Sequence, residues 1–246
     1  MESYDAFATF YDGLGMSRFS EDRAVLLCSL LGGRPLSSLK LLDMACGTGC
    51  FCELMAQRGI NVAGFDLSPG MVSMAKQRQI PGAHFFVADM CDFDISDDFD
   101  IVTCNYDSLN HLLSQSKVEA AFRHVFRHLK PGGMFCFDVN TVSGLRRWRY
   151  QDLRHDASSV MLRHGVFDEA TNHASLFIDA FVARQDGLYS RFEELIHEAA
   201  YPLAQVVEML KATGFADIEP VGRSAGKSTA DLERDPRAIF LGRKPL

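Results

Sequence analysis

The feature that most constrains this chain is the segment Asp43-Met44-Ala45-Cys46-Gly47-Thr48-Gly49, set between an apolar run at 39–44 and a helix-like stretch at 50–58. Two glycines one residue apart let the backbone turn tightly and approach a ligand with no Cβ in the way. The helix that follows presents unpaired N–H groups at its first turn. The residues beyond keep up the strand-helix alternation. Segments 60–66, 84–89, 99–105 and 134–140 read as strands, and 69–79 reads as a helix with Pro69 in its first turn. Segment 117–129 carries Val118, Ala121, Phe122, Val125 and Leu129 at helical spacing. Strands apolar on both faces, alternating with amphipathic helices, are the mark of a parallel sheet covered on both sides. The expected fold is α/β: a Rossmann-like, doubly wound, mostly parallel sheet.

Two regions depart from the alternation. The first thirty residues read as two helices around a Gly13/Gly15 break, the second capped at Ser20-Glu21-Asp22 and stopped by Gly32-Gly33 and Pro35. Between 158 and 201 long extended stretches are separated by turn signals at 168–172 and Asp186-Gly187, which predict three antiparallel strands inserted after strand five. A helix with Leu203, Val206, Val207 and Leu210 on one face, ended by Gly214, and strands at 216–221 and 238–242 close the chain. The expected division is a core of 1–150 and 202–246, with 151–201 as an antiparallel insertion covering the substrate side.

Bulk chemistry narrows the function classes. A net charge of -7 disfavours a polyanion partner, so no nucleic acid is expected. No apolar run approaches the ~20 residues that span a bilayer, and the acidic amino terminus lacks a leader's basic-then-apolar pattern. Seven scattered cysteines read as reduced thiols, so the expected compartment is cytoplasmic. Cys46, Cys50 and Cys52 cluster without the second group of ligands a zinc site needs, and their spacing falls one residue short of a radical iron–sulfur motif; no metal is expected. Exposed strand edges in the insertion leave a monomer or a homodimer open.

The dinucleotide fingerprint needs a third glycine where this chain has Cys52, which counts against a nicotinamide or flavin enzyme. Asp66 closes the second strand, where a carboxylate accepts from both ribose hydroxyls of an adenosine lying across the sheet edge. Alternatively it caps the helix at Pro69. Asp89, after the third strand, falls where an adenine amino group would lie, with Met90 placed to pack on the ring. Acids at consecutive strand ends behind this glycine loop make an adenosyl ligand the reading.

These residues resemble a known family. Leu41–Gly49, with Phe65-Asp66-Leu67-Ser68-Pro69-Gly70-Met71, Val87-Ala88-Asp89-Met90, Phe99-Asp100-Ile101-Val102 and Leu129-Lys130-Pro131-Gly132-Gly133, is similar to the motif set of class I S-adenosylmethionine-dependent methyltransferases. The resemblance implies S-adenosylmethionine as cofactor and S-adenosylhomocysteine as product. It places Ala45, Gly47 and Gly49 on the methionine arm, Asp66 on the ribose, and Asp89 and Met90 on the adenine. Tyr11, Asp43, Leu67, Met71 and Asn105 complete the expected cofactor set. Tyr4 to Asp12, Asp107-Ser108-Leu109-Asn110-His111, Phe137-Asp138-Val139-Asn140 and the insertion resemble, more narrowly, small-molecule methyltransferases such as the amino-sugar N,N-dimethyltransferases. That likeness implies a small-molecule acceptor, with Tyr11 over the site and the insertion facing the substrate.

The expected activity is methyl transfer to a nitrogen or oxygen nucleophile. Alternatives are a cofactor-binding protein without transferase activity and an enzyme acting on a protein. In-line displacement needs positioning, and a general base only where the acceptor arrives protonated. The candidates are His111, His197 and Tyr11, each weighed against a packing or surface role. Arg146-Arg147-Trp148-Arg149, with Arg154, reads as the solvated face of a connecting helix ahead of a grip on an anionic acceptor. Gly222-Arg223-Ser224-Ala225-Gly226-Lys227-Ser228 lacks one residue of a phosphate-binding loop and reads as a loop. Phe177 and Phe181, on one face of an insertion strand, are expected in the core, with an acceptor pocket second.

Overall fold

The computed structural model describes Tyr4, Asp5 and residues 7–246; residues 1–3, part of the acidic start considered above, lie outside it. Strands β1 (Lys40–Met44), β2 (Asn61–Asp66), β3 (His84–Val87), β4 (Phe99–Cys104) and β5 (Leu129–Asn140) are parallel and ordered β5-β4-β1-β2-β3. They alternate with α3 (Cys50–Gln57), α4 (Pro69–Gln77) and α5 (Gln115–His128), and α2 (Ser20–Leu30) precedes them. Chain order reverses between β4 and β1, leaving a crevice at the strands' carboxyl ends where doubly wound sheets bind ligands.

Both faces of this sheet are dry. Leu42, Phe65, Val102, Phe135 and Phe137 pack with Phe122 and Val125 of α5 on one face. On the other, Leu41, Ile101 and Cys136 meet Leu27 of α2, Met55 of α3 and Ala75 of α4. Opposite faces of each strand thus bury side chains of successive residues, which is why the strands read as continuous apolar runs. Helix α4 starts as its sequence dictates: Ser68 is the N-cap, its hydroxyl accepting from Met71 N–H at 3.1 Å, and Pro69 stands at the first helical position. Ser20 differs from expectation. It is the first helical residue, with Phe19 at the cap position, and its hydroxyl accepts from Tyr106 Oη at 2.9 Å and makes no cap.

Helix α6 (Val142–Arg146) leads from β5 into a second, antiparallel sheet of four strands, one more than expected: β6 (Gln151–His155), β7 (Ser159–Asp168), β8 (His173–Ala183) and β9 (Tyr189–Ala199). The extra strand β6 lies at the edge and is largely exposed, so it shows no buried–exposed alternation to betray it. The inner face of this sheet, with Met161, Leu176, Ile178, Ala180, Phe192 and Ile196, packs on the N-terminal segment around Phe7 and α1 (Ala8–Tyr11).

Phe177 and Phe181 correct the expectation made of them. They alternate with Ile178 and Ala180 and therefore point outward, Phe177 exposed and Phe181 beneath the Arg191 guanidinium. Arg146 and Arg149 both pair with Glu169 beside the Phe167 ring, as suits a connecting helix on the surface. Helix α7 (Leu203–Thr213), β10 (Ala216–Pro220), α8 (Thr229–Leu232) and β11 (Arg237–Arg243) complete the core. Strand β11 runs antiparallel to β5 and carries β10 on its far side. The glycine-rich segment at 222–228 is the connection between these last strands, largely turn and short helix. Among the described residues, no helix is long and apolar enough to cross a membrane.

Candidate functional site

A cavity of about 260 Å³ opens at the carboxyl ends of β1, β2, β3 and β4. Of the expected residues, Tyr11, Asp43, Ala45, Gly47, Asp66, Leu67, Met71, Asp89, Met90, Asn105 and His111 line it. Gly47 (φ 54°) lines it with open space where a Cβ would stand. Gly49 does not line it. That glycine also has positive φ, 77°, but a Cβ there would come within 3.0 Å of Ala75 Cβ, so its role is to let α3 pack against α4. Ala45 adopts a left-handed φ of 56°, a conformation an L-residue takes at a cost of about 1–2 kcal/mol.

Two aspartates organise the loop. Asp66 accepts from Gly47 N–H and from Ser68 N–H, each at 2.9 Å, tying the glycine loop to the start of α4. Burial outweighs these bonds and raises its pKa. The alternative reading, Asp66 as helix cap, resolves into two residues: Ser68 caps and Asp66 braces Ser68. Asp43 is 2% exposed and accepts from Thr103 Oγ1 at 2.7 Å and Asn105 Nδ2 at 3.2 Å. Its burial pushes its pKa up to about 7. Asp89 accepts from Cys91 N–H at 2.8 Å. The lining thus holds three carboxylates against one cation, Lys117. Such a donor and acceptor set suits a ligand presenting hydroxyls, an amine and positive charge, and opposes the pyrophosphate of a dinucleotide. The open cradle beside Gly47 leaves room for the backbone to approach it. Among the described residues, no group of three His, Cys, Asp or Glu side chains is arranged to hold a metal.

The far end of the cavity is built by Tyr4, Tyr11 and His111. Tyr4 meets both rings edge-on, and its hydroxyl lies 3.4 Å from His111 Nε2. Burial lowers the pKa of His111, and the main chain of His197 is hydrogen bonded to its ring. The short helical turn carrying His111 is anchored by Asn110, whose amide donates to Asn140 O at 3.0 Å and Ala199 O at 2.9 Å and accepts from Asn140 N–H at 2.8 Å. The side chain of His197 is corrected as a candidate. It stands on the outer face of β9, bonded to Ser175 Oγ at 2.8 Å, because alternation along the strand turns Ile196 and Glu198 inward instead.

Behind His111 lies a charge cluster that sequence reasoning did not assemble. Arg237, on β11, donates to Asp138 Oδ2 at 2.6 Å and Asp107 Oδ2 at 2.7 Å, and Arg23 lies 3.3 Å from Asp138 Oδ1. Tyr106 (φ 61°) and Asp107 (φ 56°) are consecutive left-handed residues, a turn that aims both their N–H groups at Asp138, at 2.8 and 3.1 Å. Asn140 Nδ2 donates to Glu198 Oε2 at 2.8 Å, and burial raises the pKa of Glu198 far above the usual carboxylate value. A charged residue interrupting the apolar run near the end of β5, as Asp138 does, was the local signal of this cluster.

Residues 41–133 match the model of a methyltransferase domain. A protein of Bacillus subtilis (strain 168) named as a methyltransferase, YqeM, is 31% identical over 86% of this chain and 86% of its own. A dTDP-3-amino-3,6-dideoxy-alpha-D-glucopyranose N,N-dimethyltransferase of Streptomyces fradiae is 34% identical over 44% of this chain and 42% of its own. The crystal structure of a S-adenosylmethionine-dependent methyltransferase from Clostridium acetobutylicum ATCC 824 superposes with a TM-score of 0.83 at 25% identity, covering 99% of each chain.

Proposed function

This chain belongs to the class I S-adenosylmethionine-dependent methyltransferases, and from that premise we propose that it methylates a nitrogen or oxygen nucleophile on a small molecule, with S-adenosylhomocysteine as the second product. The observation that carries the acceptor reading is the roof over the cavity. Tyr4 and Tyr11, held beneath the inner face of the antiparallel sheet, enclose the end where His111 stands. A chamber of that kind admits a small molecule more readily than a polymer. In this reading residues 1–150 and 202–246 form the cofactor-binding core, and 151–201 close the acceptor side. The Streptomyces fradiae relative, named for N,N-dimethylation of an amino sugar nucleotide, supports amines as the first acceptors to test.

Bound S-adenosylmethionine supplies an electrophilic methyl group on a positively charged sulfur. The chain's own residues hold it and prepare the nucleophile. Asp66 would offer carboxylate lone pairs to the ribose hydroxyls, Asp89 and Met90 would hold the adenine, and Ala45 and Gly47, with Asp43 and Asn105, would hold the methionine arm. Leu67 and Met71 close the apolar side. Tyr11 and Tyr4 exclude water from the acceptor end, which favours displacement by removing a competing solvation shell. His111 takes the acceptor's proton. Its lowered pKa keeps the imidazole neutral near neutrality, and a neutral imidazole always retains one nitrogen lone pair for a proton.

Calorimetric titration tests the cofactor residues. Wild-type protein binds S-adenosylhomocysteine, and Asp66→Ala weakens binding about 10- to 100-fold, the loss expected for charge-assisted hydrogen bonds of about 1.5–3 kcal/mol. Turnover of an amine and hydroxyl panel, followed by release of S-adenosylhomocysteine, then identifies the acceptor class. Folded protein stripped of co-purified ligand that binds neither cofactor form would falsify the assignment of these residues. Binding without turnover of any small acceptor would return the protein-substrate and binding-only alternatives.

A further inference from the structure

The N-terminal segment at 4–12 is fastened to both cofactor loops by aspartates that line no part of the cavity. Asp5 Oδ1 accepts from Ser68 Oγ at 2.5 Å and Gly70 N–H at 2.9 Å, beside the ribose loop. The approach is close enough that a Cβ on Gly70 would lie 2.9 Å from Asp5 O. At the other end, Asp12 Oδ1 accepts from Thr48 Oγ1 of the glycine loop at 2.7 Å, while Asp12 Oδ2 pairs with Arg78 Nη2. Arg78 Nε in turn donates to Thr48 O at 2.6 Å, and Nη1 to Glu53 on α3. Tyr4 N–H donates to Glu194 Oε2 on β9 at 3.0 Å. Between these fastenings stand Tyr4 and Tyr11, the roof of the cavity.

Arg78, Thr48 and Asp12 therefore close a ring: guanidinium to loop carbonyl, loop hydroxyl to carboxylate, carboxylate to guanidinium. Lifting the segment breaks two of its three sides, and the third holds the loop that borders the ligand. A guanidinium serves here because its fork donates in three directions at once, which an ammonium on a flexible stem does not reproduce in fixed geometry. The ring is also partly open to water, with side-chain exposures of 21% for Arg78 and 35% for Asp12, so it can break without leaving a desolvated charge behind.

We infer that Arg78 is a positioning residue that couples closure of the N-terminal segment to the glycine loop, so that the Arg78–Asp12 pair sets how long the spent cofactor stays bound. The inference rests on the cofactor lying against that loop. A ligand that orders the loop places Thr48 O for Arg78, Arg78 then holds Asp12, and by reciprocity the closed segment tightens the ligand. The segment must open for exchange because Tyr4 and Tyr11 cover the site.

The test is a chase of labelled S-adenosylhomocysteine from the intact protein by excess unlabelled ligand, in wild type, Arg78→Lys, Asp12→Asn and the double variant. Because the chase starts from a wild-type complex, failure of cofactor binding itself registers before any variant is compared. Arg58→Lys, which alters the exposed Arg58–Glu21 pair outside the segment, is the control. Each single variant should release ligand about fivefold faster, the scale of a partly exposed ion pair. The double variant should be no faster than either single, and unliganded thermal midpoints should stay within the range of the control. Release unchanged, effects that multiply in the double variant, or faster release with an unliganded midpoint well below the control would each overturn the coupling.

Discussion

Asp43 is a buried acid held among neutral donors, and its chemistry changes within the physiological range. Its pKa in the fold is about 7, above the ordinary value of 3.8, so the folded state binds a proton that the unfolded state has lost between those limits. The sign follows: this group's contribution to stability is full below pH ~3.8 and declines as pH rises through about 7. Asp43→Asn should flatten that decline in unliganded protein, measured as the urea midpoint between pH 4 and 8. An unchanged slope would place the proton elsewhere.

His111 titrates with the opposite sense. Burial holds its pKa below the ordinary 6.5, so the neutral, proton-accepting ring persists to more acidic pH than a solvated histidine's. The pH profile of kcat should lose its acidic limb below 6.5, and His111→Gln should lower kcat by about 10²- to 10⁴-fold with little change in cofactor affinity. An equal loss in cofactor affinity would mark His111 as a packing residue.

At the scale of elements, the antiparallel sheet is tied to the core through the N-terminal segment and through β9, whose Ala199 O and Glu198 carboxylate accept from Asn110 and Asn140. The Phe192 ring on β9 lies 5.2 Å from both Phe7, tilted, and Phe10, stacked, and its side chain is nearly fully buried. Phe192→Ala should cost about 3–5 kcal/mol of packing and cavity energy. The loss should fall on this layer first, as faster hydrogen exchange in β8 and β9 ahead of β1 and β4. Uniform acceleration across both sheets would mean the two layers unfold as one unit. The outward exposure of Phe177 has the same origin. A strand presents two faces of equal period, and only the one laid on Phe7 and Phe10 becomes interior.

Across the whole molecule, Arg237 joins the last strand to the ends of β4 and β5. Its guanidinium pairs with Asp107 and with the fully buried Asp138, which Arg23 also faces. Removing one partner of a buried ion pair leaves the other charge stranded, at about 3–5 kcal/mol. Arg237→Gln should therefore lower the thermal midpoint of the unliganded protein well below that of wild type, read by thermal unfolding. A midpoint unchanged from wild type would mean that Arg23 alone suffices for Asp138. The same cluster supports the turn that carries His111, so this variant should also lower kcat.

What was legible in the sequence is the cofactor side. In a doubly wound chain the parallel strands end on one edge, so Asp43, Asp66 and Asp89 fall at neighbouring positions whatever the helices between them do. Gly47 and the Ser68-Pro69 helix start are local instructions of the same kind, set by backbone sterics over a few residues. Tertiary structure alone decided the acceptor side. Tyr4 reaches Glu194 across 190 positions and Arg237 reaches Asp107 across 130, contacts that no local pattern encodes. It also turned Glu198 inward and the His197 side chain outward, set Gly49 against Ala75, and made β6 a fourth strand. Alternation fixes that a strand has two faces; which face becomes interior depends on what the rest of the chain brings to cover it.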